Sequence, residues 1–401
     1  QIGFDWDISP RTLISSSFNI NNRKWTMESF TQIEEQVGSG EPTSIEMVTN
    51  ELNEWRMYVG NFSVNHDFNE SQRISFDLDY IDYYQDQPTD YALDFFDDLH
   101  SLTHQGGIQV DKETPITTWV GKIDYWAKVS EKVTIEAGIK GIRSDLANNV
   151  TVDTLDNELW VRDSIFTNFS VMDENIKAAY VSSSIKVSEK VDVQMGIRYE
   201  HTTTNIDSRE GENLVYRKFG NWFPSIFMIN KIDKNNSWVL SYSRRVNRPS
   251  FSQLAPFVLF VDPNNIYSGN VNLLPALTHA VKAEFRHKAI LVSLQYSRDK
   301  NAIAGFQPKV DENNRFLSLT QNLDYQNNYS LTLAFPIQVT KWWEIQNNLI
   351  GSYINLRADF LESPVEISTG NFNFNSTWRF DLPKKFAAEI SGFYQSKVFF
   401  G

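Results

Sequence analysis

The chain has 401 residues and no cysteine, which removes disulfide frameworks, thiolate metal sites and cysteine nucleophiles. A net charge of −13 argues against a general nucleic-acid binder, which needs a basic face. Mean hydropathy is −0.40 and residues 257–261 are among the longest apolar runs. Membrane helices, which need about 20 apolar residues, are therefore excluded. Membrane strands are not, because their alternation averages out.

The opening "QIGFDWDISP" has neither the basic start nor the apolar core of a signal peptide. A leader is therefore expected to have been removed, or the chain to be an internal piece of a longer one. The first predicted strand runs to a tight turn at "SPRT" (9–12). Next, "RISFDLDY" sets Ile74, Phe76, Leu78 and Tyr80 against Ser75, Asp77 and Asp79. Period two means a strand with one apolar and one polar face. "VTIEAGIK" (133–140) repeats it, and "VDVQMGIRYEH" (191–201) is the cleanest case. "WWEIQNNLIGSY" and "KFAAEISGFYQ" follow it with one exception each: Asn347 on the apolar face, Phe393 on the polar one.

Short connections join these segments: 68–72, 129–132, 187–190, 232–236, 286–289, 339–342 and 382–385. "KVSEKV" occurs twice, at 128–133 and 186–191, so one hairpin is expected in two places. Longer polar connections lie between, at about 31–53, 88–114, 145–168, 204–218, 247–276 and 301–314. Short turns alternating with long loops are the rhythm of an outer-membrane barrel, with about sixteen strands. Aromatics gather at strand ends (Tyr80, Tyr83, Tyr84, Trp238, Tyr242, Trp342, Trp343), as interfacial girdles require. A soluble propeller would show strands of about 5 residues. Many segments here run near 10 residues, the length that crosses a bilayer at a tilt.

The stretch "SYSRRVNRPSFSQLAPFVLFVDPNNIYSGNVNLLP" (241–275) resembles the outer-membrane β-barrel family of Bacteroidetes, a branch of the TonB-dependent receptors. The matching residues are Ser243, Arg244, Arg245, Asn247, Arg248, Pro249, Leu254, Pro256, Phe257, Asp262, Pro263, Gly269, Asn270, Leu273 or Leu274, and Pro275. "GIRYEHT" (196–202) and "TKWWEIQNN" (340–348) are similar to neighbouring family segments. The resemblance implies an all-β fold, a transmembrane antiparallel barrel of 22 strands when complete. It implies a plug domain, TonB as partner, and outer-membrane localisation in a Gram-negative bacterium. Neither plug nor TonB box is visible. Residues 1–401 are expected to be a partial barrel domain, with further strands at both ends.

Three arginines within five residues could grip a phosphate. Alternation from Trp238, Leu240 and Tyr242 points Arg244 outward, where lipopolysaccharide phosphates would lie, and Arg245 inward, toward lumen carboxylates or the plug. Arginine's fork suits either acid. The reading preferred is a structural pin for the loop that follows. Asp97, His100 and His104 lie in "DFFDDLHSLTH". A helix there would put both histidines on one face, as a metal site requires, but a solvated external loop is the preferred reading. Asp77, Asp79, Glu136, Asp192, Glu200 and Glu344 are expected to face the lumen, lining a channel or bonding to a plug. No catalytic constellation is assembled, so no enzyme and no cofactor are expected.

The function implied is a TonB-dependent receptor-like transporter barrel for a ligand the sequence does not name. The alternative is a non-transporting scaffold in an outer-membrane assembly, secretion or surface-lipoprotein complex. Expected partners are outer-membrane lipid and lipopolysaccharide, the protein's own plug and TonB, and surface lipoprotein or other subunits, but not nucleic acid.

Overall fold

A computed structural model describes residues 1–36, 41–208, 211–254, 258–262, 264–310, 315–360 and 363–397. In chain order its first strands are β1 (Ile2–Ser9), β2 (Thr12–Glu35), β3 (Thr43–Asn69), β4 (Gln72–Asp86), β5 (Thr89–Phe96), β6 (Leu102–Ser130), β7 (Val133–Asp156) and β8 (Leu159–Arg162). They continue with β9 (Asn168–Lys186), β10 (Val191–Ser208), β11 (Asn213–Lys231) and β12 (Asn236–Asn247). One helical turn, α1 (Phe251–Leu254), precedes β13 (Val258–Asp262), β14 (Asn265–Ser268), β15 (Ala276–His287), β16 (Ile290–Lys300), β17 (Ile303–Val310) and β18 (Phe316–Asn322). The last four are β19 (Tyr325–Thr340), β20 (Trp343–Phe360), β21 (Ser363–Asp381) and β22 (Ala387–Gln395).

Eighteen strands form one antiparallel sheet. Two of them, β5 and β8, pair only outside the membrane-spanning part, which leaves sixteen wall strands. Each wall strand follows its predecessor through a hairpin. The connections at 10–11, 70–71, 131–132, 187–190, 232–235, 288–289, 341–342 and 382–386 all lie at one end. The repeated "KVSEKV" does not fold twice alike. At its first occurrence Ser130 pairs with Val133 around two residues, while at the second, residues 187–190 lie outside both strands.

Register confirms which way the alternation faces. Met195 sits opposite Ser183 and Ile226, and Ile197 opposite Val181 and Pro224. Met195 and Ile197 are exposed, while Glu200 and Thr202, on the other parity, are buried. Exposed apolar side chains in water would be costly. Facing lipid, they are in their proper solvent. Ring pairs bound this apolar band. Tyr80–Trp119, Tyr199–Trp222 and Tyr296–Tyr329, with centroids 4.6, 4.8 and 5.0 Å apart, mark one edge. Trp238–Phe285 at 4.6 Å and Trp343–Trp378 at 5.6 Å mark the edge nearest the turns.

The long connections differ from expectation. Most of the length of those at 31–53, 88–114, 145–168 and 204–218 is strand, carried in the same sheet beyond the girdle. Here the pattern changes phase. On β7 Ile135 and Ile139 face outward in the membrane, but further along Leu146, Val150 and Val152 are buried on the opposite parity. On β3 Phe62 and Val64 face outward, whereas Ile45 and Met47 are buried on the inward parity. Outside lipid, apolar side chains gain by turning inward. Ile45, Met47, Val150 and Val152 pack with Tyr91, Leu93, Ile108 and Val110 against Phe260 and Ile266. Those last two belong to a second, four-stranded sheet, β13-β14-β18-β17. Phe260 meets Tyr91 and Phe166 edge-on at 5.8 and 5.3 Å. Burial pushes the Tyr91 phenol up to about 12, so it stays neutral.

Candidate functional site

The inward face of the wall is charged, and several of its charges are paired. Asp77, Asp79, Glu136, Asp192, Glu200 and Glu344 all lie on it by register. Asn61 donates to Asp79 at 2.6 Å, and Lys231 lies 3.6 Å from Asp192. Asp124 takes Lys122 and the Tyr180 hydroxyl. Glu284 takes Lys282 at 2.9 Å and Arg286 at 3.6 Å. At the turn end, Arg11, Arg73, Asp124, Trp126 and Glu136 line a polar recess of about 650 Å³.

The 241–275 stretch is tied to this face at a split in the wall. β11 pairs with β10 as far as Asn213, and β12 pairs with β15 as far as Asn247. Yet β11 and β12 pair with each other only up to Ser225 and Ser243. Above that point Arg244, on the outward parity, spans the gap. It donates to the Trp222 carbonyl at 3.1 Å and to Asn221 Oδ1 at 3.3 Å. Its fork is thus occupied by the wall rather than held out toward lipid. Arg245 faces inward and is exposed, and none of the lumen carboxylates described pairs with it. Asn247 closes β12 opposite Ala276.

Arg248 turns inward, where Glu200 accepts its Nη2 and Thr202 Oγ1 accepts it at 3.3 Å. Arg198 Nε donates to the same carboxylate at 2.6 Å. Pro249 then leads into α1. Asn270 N–H donates to the Gln253 carbonyl at 2.7 Å, and Asn270 Nδ2 to the Thr320 carbonyl at 3.0 Å. Gly269 beside it is buried. Arg217 holds the backbone from below, donating to the carbonyls of Leu273 and, at 2.5 Å, Val271. Leu273 is fully buried with Leu254, Leu146, Met172, Ile206 and Val215. Leu274 and Asn322 exchange two hydrogen bonds of 2.7 and 2.8 Å before Pro275 and β15. Pro256 and Pro263 lie outside the described residues. Asp262 ends β13 opposite Asn265, and its side chain is likewise outside them. The stretch is thus clamped by side chains from β10, β11 and β18.

Asp97, His100 and His104 occupy a hairpin end rather than a helix. The β5–β6 ladder pairs Phe95 with His104 and continues to Phe96 and Leu102, so the segment turns back on itself too early for a helical face. His104 stacks on Phe95 at 4.2 Å and His100 on Phe96 at 4.5 Å. Asp97 Oδ1 accepts the N–H groups of Leu99 and Ser101 at 3.1 and 2.7 Å. Among the described residues no group of three or more His, Asp or Glu is arranged to hold a metal ion.

Arg198, Arg217, Asn221, Thr202 and Asn322 are the clamp residues that sequence reasoning passed over. Only Arg198 left a signal, its parity with Glu200 on one strand.

An alternating wall, paired aromatic girdles and a charged interior define a transmembrane β-barrel. The chain belongs to the outer membrane protein beta-barrel family, whose family model matches residues 66–399, and its place is the bacterial outer membrane. No curated protein matches it. Solved structures similar to it include the siderophore receptor PirA from Pseudomonas aeruginosa, at TM-score 0.46 and 12% identity over 97% of this chain and 72% of that one. The ferric-catecholate import receptor Fiu from E. coli K12 matches at TM-score 0.49 and 8% identity, over 97% and 74%. The copper transporter OprC matches at 0.47 and 10%, over 92% and 72%.

Proposed function

We propose that the chain forms the barrel wall of an outer-membrane receptor that imports a ligand, with a plug domain in its lumen and energy delivered through TonB. The observation that carries this reading is the inward face. Its ion pairs and its polar recess suit water or a polar folded domain, not a self-filling apolar core. The clamped 241–275 stretch fits a rim that stays in place while a plug moves behind it. In this reading the protein does no chemistry on its ligand.

A scaffold role is the competing reading. The stacked, apolar-cored body outside the membrane favours it, because such a body offers a rigid surface to other proteins. The test is binding of the purified periplasmic domain of TonB to the detergent-solubilised full-length protein. Saturable binding, abolished by deleting the segment ahead of the barrel, supports import. No binding, with no plug in the full-length chain, sinks it in favour of the scaffold.

A further inference from the structure

The lipid-facing side of the wall carries a feature that neither import nor scaffolding uses. Two cross-strand rows on β15, β16, β19, β20 and β21 are in register. One reads Val281–Tyr296–Tyr329–Tyr353–Gly370, and the next, nearer the turns, Ala283–Leu294–Leu331–Gly351–Phe372. Ala283, Gly351 and Gly370 have too little side chain to fill their places. A groove of about 860 Å³ results, lined by these two rows and closed at one edge by Ser396 and Lys397. A Cβ added at Gly351 would meet nothing within 4 Å.

The row directly above the groove, on the side of the long connections, is polar and basic. It reads Arg244–His279–Arg298–Asn327–Asn355–Ser368. His279 and Arg298 are exposed, as is Lys300 one step further out on β16. Arg298 lies over the Tyr325 ring at 4.5 Å and gives one long hydrogen bond of 3.4 Å to Asn327, which leaves most of its donors available. The nearby carboxylates are already engaged: Asp324 by Arg357 at 3.2 Å, and Glu366 by Asn355 at 2.8 Å. The outward Arg143 on β7 differs, because it is held by Asp145 at 3.3 Å.

We propose that this face binds one lipopolysaccharide molecule of the outer leaflet, with its acyl chains in the groove and a head-group phosphate on Arg298 and Lys300. The long connections of such barrels are external, which puts the basic row at the height of outer-leaflet phosphates. Guanidinium and ammonium groups suit a phosphate. His279 and Ser368, both exposed in the same row, offer the donors and acceptors that sugar hydroxyls need. Six strands at about 4.8 Å spacing make the row about 24 Å wide. That breadth fits a multi-chain glycolipid better than a two-chain phospholipid.

Native mass spectrometry of the full-length protein tests this, after lipid is stripped by detergent exchange and purified lipopolysaccharide is added back. The wild type is expected to retain one lipopolysaccharide. Arg298→Gln with Lys300→Gln should weaken retention about thirtyfold, from about 1 kcal/mol per surface cation. Gly351→Phe, which fills the groove without touching the cations, should also weaken it by tenfold or more. Arg143→Gln should leave it unchanged. Heat-modifiable gel mobility, unchanged in all three, keeps a folding defect from imitating the result. Retention equal to that of the wild type in either the charge variant or the groove variant would overturn the proposal. So would an equal loss in Arg143→Gln, or phosphatidylglycerol or inorganic phosphate competing as well as lipopolysaccharide at equal concentration.

Discussion

Arg248 and Glu200 form an ion pair although 48 residues separate them, and this contact fixes the start of the 248–275 connection to the inner wall. Glu200 is only 7% exposed and also holds Arg198. Removing the carboxylate strands two partly buried guanidinium groups. Glu200→Ala is therefore expected to cost about 3 kcal/mol. Arg248→Lys keeps the charge but loses the fork that reaches both Glu200 and Thr202, and should cost less. Thermal unfolding in detergent gives the stability. Protease cleavage within 248–275 should rise for Glu200→Ala before the wall itself unfolds.

Neighbouring residues on β10 should respond in opposite ways to the same change. Met195 lies midway along the outward apolar run from Val191 to Tyr199, and Gln194 points inward beside it. Met195→Arg is expected to destabilise the folded barrel by about 2–4 kcal/mol, the cost of a charge on the lipid face near the midplane. Gln194→Arg should change stability by less than about 1 kcal/mol. Urea unfolding in lipid vesicles separates the two, and equal effects would contradict the assignment of faces.

Asp86 ends β4 outside the membrane. Burial, then the carboxylates of Glu113 and Glu54, raise its acid above the ordinary value of 3.8. A raised acid favours the folded state when protonated. Its contribution is present below 3.8 and is lost as pH rises through the raised value. Asp86→Asn should thus unfold at a higher temperature than wild type at pH 7. The gap should close as pH falls below 3.8. A gap that grows on acidification would reverse the sign of the interaction.

Asn347 is the polar residue on an apolar face, and the structure supplies its partners. Trp378 Nε1 donates to Ser376 Oγ at 2.9 Å, Ser376 Oγ to Asn347 Oδ1 at 2.9 Å, and Asn347 Nδ2 to the Phe335 carbonyl at 3.4 Å. Ser376→Ala breaks two of these links and should cost about 1–2 kcal/mol. Asn347→Leu with Ser376→Ala removes donor and acceptor together, so it should cost less than the sum of the two single changes. A double-mutant cycle on unfolding free energies reads the coupling directly, and strict additivity would deny it.

The wall was legible in the sequence because lipid enforces one parity. Val191 to Tyr199 alternates with no ambiguity, and the lumen side of Asp77, Glu136 and Glu200 follows from it. The external strands were hidden by the same rule. There the apolar residues sit on the inward parity, so Ile45, Met47, Val150 and Val152 break the phase that marks the membrane span and read as irregular connection. The clamp was half visible: Arg244 and Arg248 stand together in one stretch, but their receptors, Glu200, Asn221 and Trp222, lie on other strands. Which acid meets which base depends on a split between β11 and β12 that period two does not encode.

The small sheet joins two connections, with β14 from one running parallel to β18 from the other. Neither connection can complete it alone. Their wall hairpins, β12–β15 and β16–β19, must first be in register, because pairing over such sequence distances forms late. Phe260 and Ile266 then find their cavity against Tyr91 and Phe166, contributed by strands far earlier in the chain. Closure of this sheet therefore requires both hairpins to be in register. A barrel with one slipped hairpin would keep its wall yet leave Tyr91 and Phe166 without the Phe260 ring that covers them.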